Sequence, residues 1–283
     1  MIGSPAAQGL ALASATSFGI SDFVGGVASR RVAALRVVLV STPVSMVMLG
    51  VLALICGGHV TTAAVVLGVL GGLSQLLGIW WFYAAMAVGP ISVVSPLAAV
   101  VDAGVPVCIG RVLGERPGML ASVGIAVALA AVVLISWHAG DGGFRPGLTG
   151  GAIWLTIGSG VALGLNFVFL DRTPPDAGLW PLLFARGAAT ALVIVVAAAS
   201  RNLRAPTGNP LRLALVIALL DTAGNVTMLF ALQLSLLSLA SVLISLYPAA
   251  TVVLAVTVLR ERVRPRQVAG MVLAAVAVAL ITG

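Results

Sequence analysis

The chain has 283 residues, 60% hydrophobic and only 8% charged, with a mean hydropathy of +1.18. Soluble domains carry about 25% charged residues and disordered chains are polar, so a water-covered surface and disorder are both excluded. The net charge of +7 comes from fifteen arginines and no lysine; they sit in short connections between apolar runs, where lipid headgroups meet them, so the basic balance does not call for a nucleic-acid partner.

Apolar runs cover residues 9–28, 34–57, 63–88, 90–112, 118–137, 149–170, 178–200, 211–233, 236–259 and 266–282. A helix crossing a bilayer takes about 20 apolar residues, so these lengths predict ten transmembrane helices, and no strand-like alternation supports a membrane barrel. Ala13-Ser14-Ala15 reads as part of the first span, because the first arginine is Arg30 and no basic region precedes the run. Polar or turn-rich breaks separate the runs, among them Ser29-Arg30-Arg31, Gly57-Gly58-His59, Leu113 to Pro117 and Asp171 to Asp176. The most loop-like stretch is His138 to Gly147. Cys56 and Cys108 lie inside apolar runs and read as small packed hydrophobes, with no disulfide framework.

The loop at 138–148 divides the chain into units of 1–137 and 149–283. An offset of 146 residues lays 75–135 on 221–281 without gaps and pairs Gly78 with Gly224, Ser92 with Ser238, Ser95 with Ser241, and Glu115-Arg116 with Glu261-Arg262. An offset of 145 brings Gly19 onto Gly164 and Ser21 onto Asn166. Because five is odd, the second unit enters the membrane upside-down relative to the first. The predicted fold is all-α, ten spans in two inverted five-helix repeats, an architecture that places a substrate site between the halves near mid-membrane.

With Leu113-Gly114-Glu115-Arg116 and Leu259-Arg260-Glu261-Arg262 after the fourth helix of each half, the chain resembles the EamA-type members of the drug/metabolite transporter superfamily. Gly164-Leu165-Asn166-Phe167, and Arg36 and Arg186 early in the second helix of each half, add to that likeness. The resemblance implies export or uptake of small metabolites such as amino acids, amines or carboxylates, driven by an ion gradient or by exchange. Phe18-Gly19-Ile20-Ser21-Asp22-Phe23 departs from it, with Asp22 where no charge is typical.

Ionisable side chains inside a span face protein or a water-filled cavity, because lipid penalises them heavily. Asp22, Asp102 and Asp221 are the acids so placed. Asp221 and its repeat mate Gln75 each stand about ten residues into their runs, and Asn225 follows Asp221 by one turn on the same face. These groups are candidates for substrate recognition; the alternative is hydrogen bonding between helices. Asp102 lies four residues before Pro106, which cannot donate to the Asp102 carbonyl; its alternative role is pairing with Arg36 or Arg186 to fix packing. Pro248 stands opposite Asp102 in the repeat and frees the carbonyl of Ile244, so Pro96, Pro106 and Pro248 mark expected kinks. Asn166 is either a ligand-facing amide or a packing group. One of Asp22, Asp102 and Asp221 is expected to carry a coupling proton.

Trp80, Trp81 and Tyr83 either stack on a substrate or sit at the membrane interface. Gly68/Gly72 and Gly160/Gly164 are small-xxx-small pairs that let helices approach closely. Glu115, Arg116, Glu261 and Arg262 read as loop motifs that satisfy exposed helix-end carbonyls. No catalytic constellation, metal-ligand spacing or phosphate loop occurs, so neither a cofactor nor ATP hydrolysis is expected. The expected partners are the lipid bilayer and a small-molecule substrate, with the chain a monomer or homodimer in the plasma or inner membrane. Eleven arginines fall in the connections after odd-numbered helices or beside them. That puts both termini outside, whereas the resemblance implies cytoplasmic termini. A polytopic enzyme acting on a lipid-linked substrate is the rival from another class, although its groups would be clustered and these are scattered.

Overall fold

Where backbone N–H and C=O groups have no water to bond, an apolar chain satisfies them internally as helix. The computed structural model describes residues 4–29, 32–88, 91–136, 150–259 and 265–282, and among them there is no strand. In chain order the helices are α1 (Pro5–Ser29), α2 (Ala34–Cys56), α3 (Thr62–Val88), α4 (Ile91–Val112), α5 (Met119–Ser136), α6 (Gly150–Asp171), α7 (Trp180–Ala199), α8 (Asn209–Leu234), α9 (Leu237–Ile244), α10 (Tyr247–Leu259) and α11 (Pro265–Thr282), with a 3₁₀ turn at Pro175–Ala177 before α7. Proline opens several of them, at Pro5, Pro181, Pro210 and Pro265, where a missing N–H costs nothing. The loop at 138–148, Glu261 and Arg262 lie outside the described residues.

Each apolar run becomes one helix except the ninth, which splits into α9 and α10 at Ser245 and Leu246. The break falls just before Pro248, whose absent N–H leaves the Ile244 carbonyl without its helical donor. The α4 helix, by contrast, runs unbroken past Pro96 and Pro106. Six stretches, Leu35–Cys56, Thr62–Phe82, Gly150–Asp171, Trp180–Ala199, Asn209–Leu234 and Leu237–Val258, are long and apolar enough to cross a bilayer. Met119–Leu134 and Val268–Ile281 are shorter apolar helices. Large apolar side chains stand exposed around the molecule, including Leu54, Ile55, Trp80, Trp154, Val195, Leu219 and Val272, far more than a water-soluble monomer shows. This is a multi-pass integral membrane protein.

Helix packing is reciprocal between the halves. The α1 helix packs along α8, the third helix of the second half, and α3 packs along α6, the first. Likewise α4 lies on α6 while α1 lies on α9 and α10, and α5 lies on α11. Individual bonds repeat the pattern: Ser14 Oγ donates to the Gly224 carbonyl at 2.8 Å, and Ser159 Oγ donates to the Gly78 carbonyl at 2.8 Å. Gly19 abuts Tyr247 and Thr251 as Gly164 abuts Asp102 and Val105. Such exchange of partners is what a two-fold axis between two units produces, and it supports the inverted-repeat reading.

The glycine pairs act as their spacing suggests. A Cβ on Gly68 or Gly72 would run into the carbonyls of Pro181 or Ala185 on α7, and one on Gly160 or Gly164 would reach the Ala98 or Asp102 carbonyl of α4 at 2.7 or 2.8 Å. Cys56 and Cys108 correct the expectation made of them: both are exposed. An apolar run has a lipid side as well as a protein side, and composition alone does not tell which one a residue takes.

Candidate functional site

Along α1, Ala11, Ala15, Phe18 and Asp22 follow one another at helical spacing and form one stripe. Ala11 and Ala15 are buried and Phe18 packs on α8, yet Asp22 is exposed. The outward face of α1, with Gly9, Ala13 and Thr16, lies on the other side. Asp22 therefore opens into a space inside the helix bundle and not toward lipid. Phe18 lies against Gly224 and Gly25 faces Ile217; counting between these contacts puts Asp22 level with Asp221, and the two carboxylates interact electrostatically.

On α8, Ala214, Ala218, Asp221, Asn225 and Met228 make a matching stripe. Arg186, from the first half of α7, reaches this stripe: its Nη2 donates to Asp221 Oδ1 at 2.7 Å and stands 2.6 Å from Oδ2. Helices α7 and α8 both pack on α2 far more than on each other, so the ion pair spans a gap. Asn225 Nδ2 donates to the Asp221 carbonyl at 2.7 Å and to its Oδ1 at 3.3 Å. From α2, Ser45 Oγ bonds Asp221 Oδ2 at 3.2 Å and meets Thr222 Oγ1 at 2.9 Å. Four helices from both halves thus converge on one buried ion pair with a second carboxylate beside it.

Of the residues singled out in the sequence, the structure brings Asp22, Asp221 and Asn225 together. Gln75 is half-buried on α3. Asn166 is buried where α6 crosses α3, with its Oδ1 against Gly71. Asp102 is buried on α4, and its Oδ1 has no hydrogen-bond partner among the described residues. The alternative role considered for Asp102, pairing with Arg36 or Arg186, is not the arrangement found. Arg186 is taken by Asp221, and Arg36 Nε bonds Asn202 Oδ1 at 3.0 Å, beyond the end of α7. The α4 helix packs chiefly on α6, α5 and α9, none of which carries a member of the ion-pair cluster. Trp80 is exposed and Trp81 lies against Gly158 of α6.

Ser45, Thr222 and the role of Arg186 escaped the sequence reading. A signal for Arg186 was present, since a lone arginine inside a span must find an acid. Hydroxyls such as Ser45 carry no such signal, because serine is tolerated throughout membrane helices.

The loop motif after α4 satisfies helix-end carbonyls through its backbone, the Gly114 N–H donating to the Arg111 carbonyl at 3.1 Å and the Glu115 N–H to the Gly110 carbonyl at 2.9 Å, and its carboxylate does something more. Gly114 takes a positive φ of 92° and turns the chain back, and Gly110 leaves room for the carboxylate of Glu115. Glu115 Oε1 accepts from the Leu237 N–H at 2.6 Å and Oε2 accepts from the Ser238 N–H at 3.0 Å. A residue of the first half thus caps the start of α9 in the second, where the helix dipole favours an anion. Arg116 is exposed. Glu115→Ala should lower unfolding stability in detergent by about 1–2 kcal/mol, the usual worth of a lost cap, and Glu115→Gln should lose less.

An apolar crevice of about 270 Å³ lies between α1, α10 and α11, lined by Leu12, Thr16, Leu246, Val253, Met271 and neighbouring alanines. It lies nearer the start of α1 than Asp22 does and offers little polar chemistry. Among the described residues no group of acids, histidines and cysteines is arranged to hold a metal.

Comparison with known proteins adds the family. No curated relative matches the chain. A solved crystal structure of a protein aligns with a TM-score of 0.78 over 98% of this chain and 95% of the other, at 16% identity, a likeness of fold alone. Residues 150–283, the second of the two units, match the EamA-like transporter family, whose members are membrane transporters of the drug/metabolite type, and that match supports membership of the drug/metabolite transporter superfamily.

Proposed function

We propose that the chain is a secondary transporter that carries small metabolites by alternating access, with the cleft around Asp22, Arg186 and Asp221 as the substrate and proton path. The observation that carries this reading is Asp22 itself: an exposed carboxylate on a stripe that is otherwise packed, level with a buried ion pair. A carboxylate so deep is not left bare in a bilayer, so it binds a proton or a solute and exchanges them as the halves rock. The two halves in one chain complete the cleft, so a monomer suffices. The cell membrane, plasma or bacterial inner, is the proposed location.

The test is counterflow of radiolabelled amino acids, amines and carboxylates in proteoliposomes, with and without a pH gradient. Counterflow of at least one solute, accelerated by the gradient, is the expected result. Turnover of a lipid-linked substrate without counterflow of any solute would overturn the reading in favour of an enzyme.

A further inference from the structure

We infer that Glu115 is a latch: its carboxylate holds α9 as a seal across one end of the cleft, and the contact is broken and remade in each transport cycle. The inference rests on the transporter reading and adds the residue that governs access at that end.

Position comes first. Ser14 bonds Gly224 and Gly25 faces Ile217, so α8 runs antiparallel to α1 and ends toward the start of α1. The α9 helix begins directly after α8, at that same end. Gly19 abuts Tyr247 and Thr251 of α10, and Asp22 lies almost one turn further along α1. The exposed carboxylate therefore stands past the break between α9 and α10, with α9 on its chain-start side.

Packing is unequal at the two ends. All eight residues of α9 are at most 1% exposed, enclosed by α1, α4, α5, α6 and α8 from both halves. In α10, the continuation of the same run, none of the described side chains is buried. The α9 helix shares an apolar cluster with Leu49 and Ala53 late in α2 and with Leu179 and Leu182 at the start of α7. Toward the opposite end, the smaller buried cluster is Ala28, Val37 and Ala214. The bundle is thus shut where α9 begins.

Capping makes the seal conditional. Leu236 stands at the N-cap of α9 and offers no side-chain bond. The N–H groups of Leu237 and Ser238, on residues 1% and 0% exposed, are instead held by Glu115. Glu115 is half-buried at the rim, and Asp171 at the end of α6 repels it. Once released, a carboxylate there hydrates in place, but the two N–H groups would be left buried and unbonded until water enters around α9. The Ser238 hydroxyl, buried with no partner among the described residues, is a further group that such water would satisfy. Release and wetting are therefore one event, and the contact has two settled arrangements, bonded and dry or free and wet. Because the contact joins the two halves, their rocking makes and breaks it.

The experiment uses the full chain with Cys56 and Cys108 replaced by serine and Ala240→Cys as a reporter inside the seal, where Ala240 is 1% exposed. A quaternary-ammonium methanethiosulfonate, which reacts only from water, is applied in detergent. Glu115→Ala should raise the modification rate about fivefold or more, the population shift expected when only the sealed arrangement loses its cap. Ser159→Ala, which removes the bond to Gly78 between α6 and α3, should leave the rate unchanged. In the locking arm, the pair Glu115→Cys and Ser238→Cys replaces the reporter and is bridged in proteoliposomes by a bis-methanethiosulfonate linker. Counterflow of radiolabelled amino acids, amines and carboxylates should stop on bridging and return on reduction. The labelling arm decides where the reduced pair carries nothing, and the locking arm decides where Glu115→Ala does not fold. An unchanged labelling rate in Glu115→Ala, or undiminished counterflow in the bridged protein, would overturn the latch and leave the transporter reading standing. Absence of all counterflow with Glu115 and Ser238 intact would overturn the transporter reading and the latch with it.

Discussion

Arg186→Met should destabilise the protein by about 3–5 kcal/mol, because it strands the Asp221 carboxylate inside the bundle without its counter-ion. The side chains are 9% and 23% exposed, so little water reaches the pair to compensate. Asp221→Leu should cost a comparable amount by leaving the guanidinium unpaired. The double variant Arg186→Met with Asp221→Leu should recover most of that loss, since two apolar side chains of similar bulk demand no charge solvation. Denaturant or thermal unfolding in detergent of the four proteins gives the coupling as a double-mutant cycle. If the double variant were as unstable as the sum of the singles, the pair would not be coupled and the contacts around it would have to be redrawn. Transport separates the two consequences: the double variant folds, yet it lacks the ion pair that lines the proposed path beside Asp22, and its counterflow should be lost.

Hydropathy made the helices legible, because the bilayer leaves the backbone no alternative to helix and the runs are long. The repeat was legible too, through pairs such as Gly78 and Gly224 whose contacts prove equivalent across the halves. What the sequence withheld was partnership. Asp22 and Asp221 are nearly two hundred residues apart, and only the antiparallel packing of α1 on α8 makes them neighbours. Arg36 and Arg186 look alike as arginines early in second helices, yet about four residues, one turn, of extra depth put one at the rim beside Asn202 and the other on Asp221. Glu115 reads as half of a loop motif, but its carboxylate is spent on the first N–H groups of α9 in the other half.

Close helix approach is the condition on which the cleft depends, and Gly72→Ala should show it. A Cβ there meets the carbonyl and Cα of Ala185, backbone atoms of α7 that cannot rotate away. Overpacking of this kind costs about 1–3 kcal/mol or more, and relief requires α3 and α7 to separate. Ala185 immediately precedes Arg186, so any retreat of α7 carries the guanidinium with it and changes its reach to Asp221 across the gap. Gly164→Ala presses on Val105 and on the Asp102 carbonyl at 2.7 and 2.8 Å; it should cost similar stability but act on α4, away from the ion pair. Gly104→Ala is the control, with nothing within 4 Å of the new Cβ, and it should gain up to about 1 kcal/mol from helix propensity. Unfolding midpoints rank the three, and counterflow at a temperature where all are folded isolates position from stability. Gly72→Ala should lose transport there while Gly104→Ala keeps it. A Gly72→Ala protein that transports normally would mean that the spacing of α3 and α7 does not set where Arg186 stands.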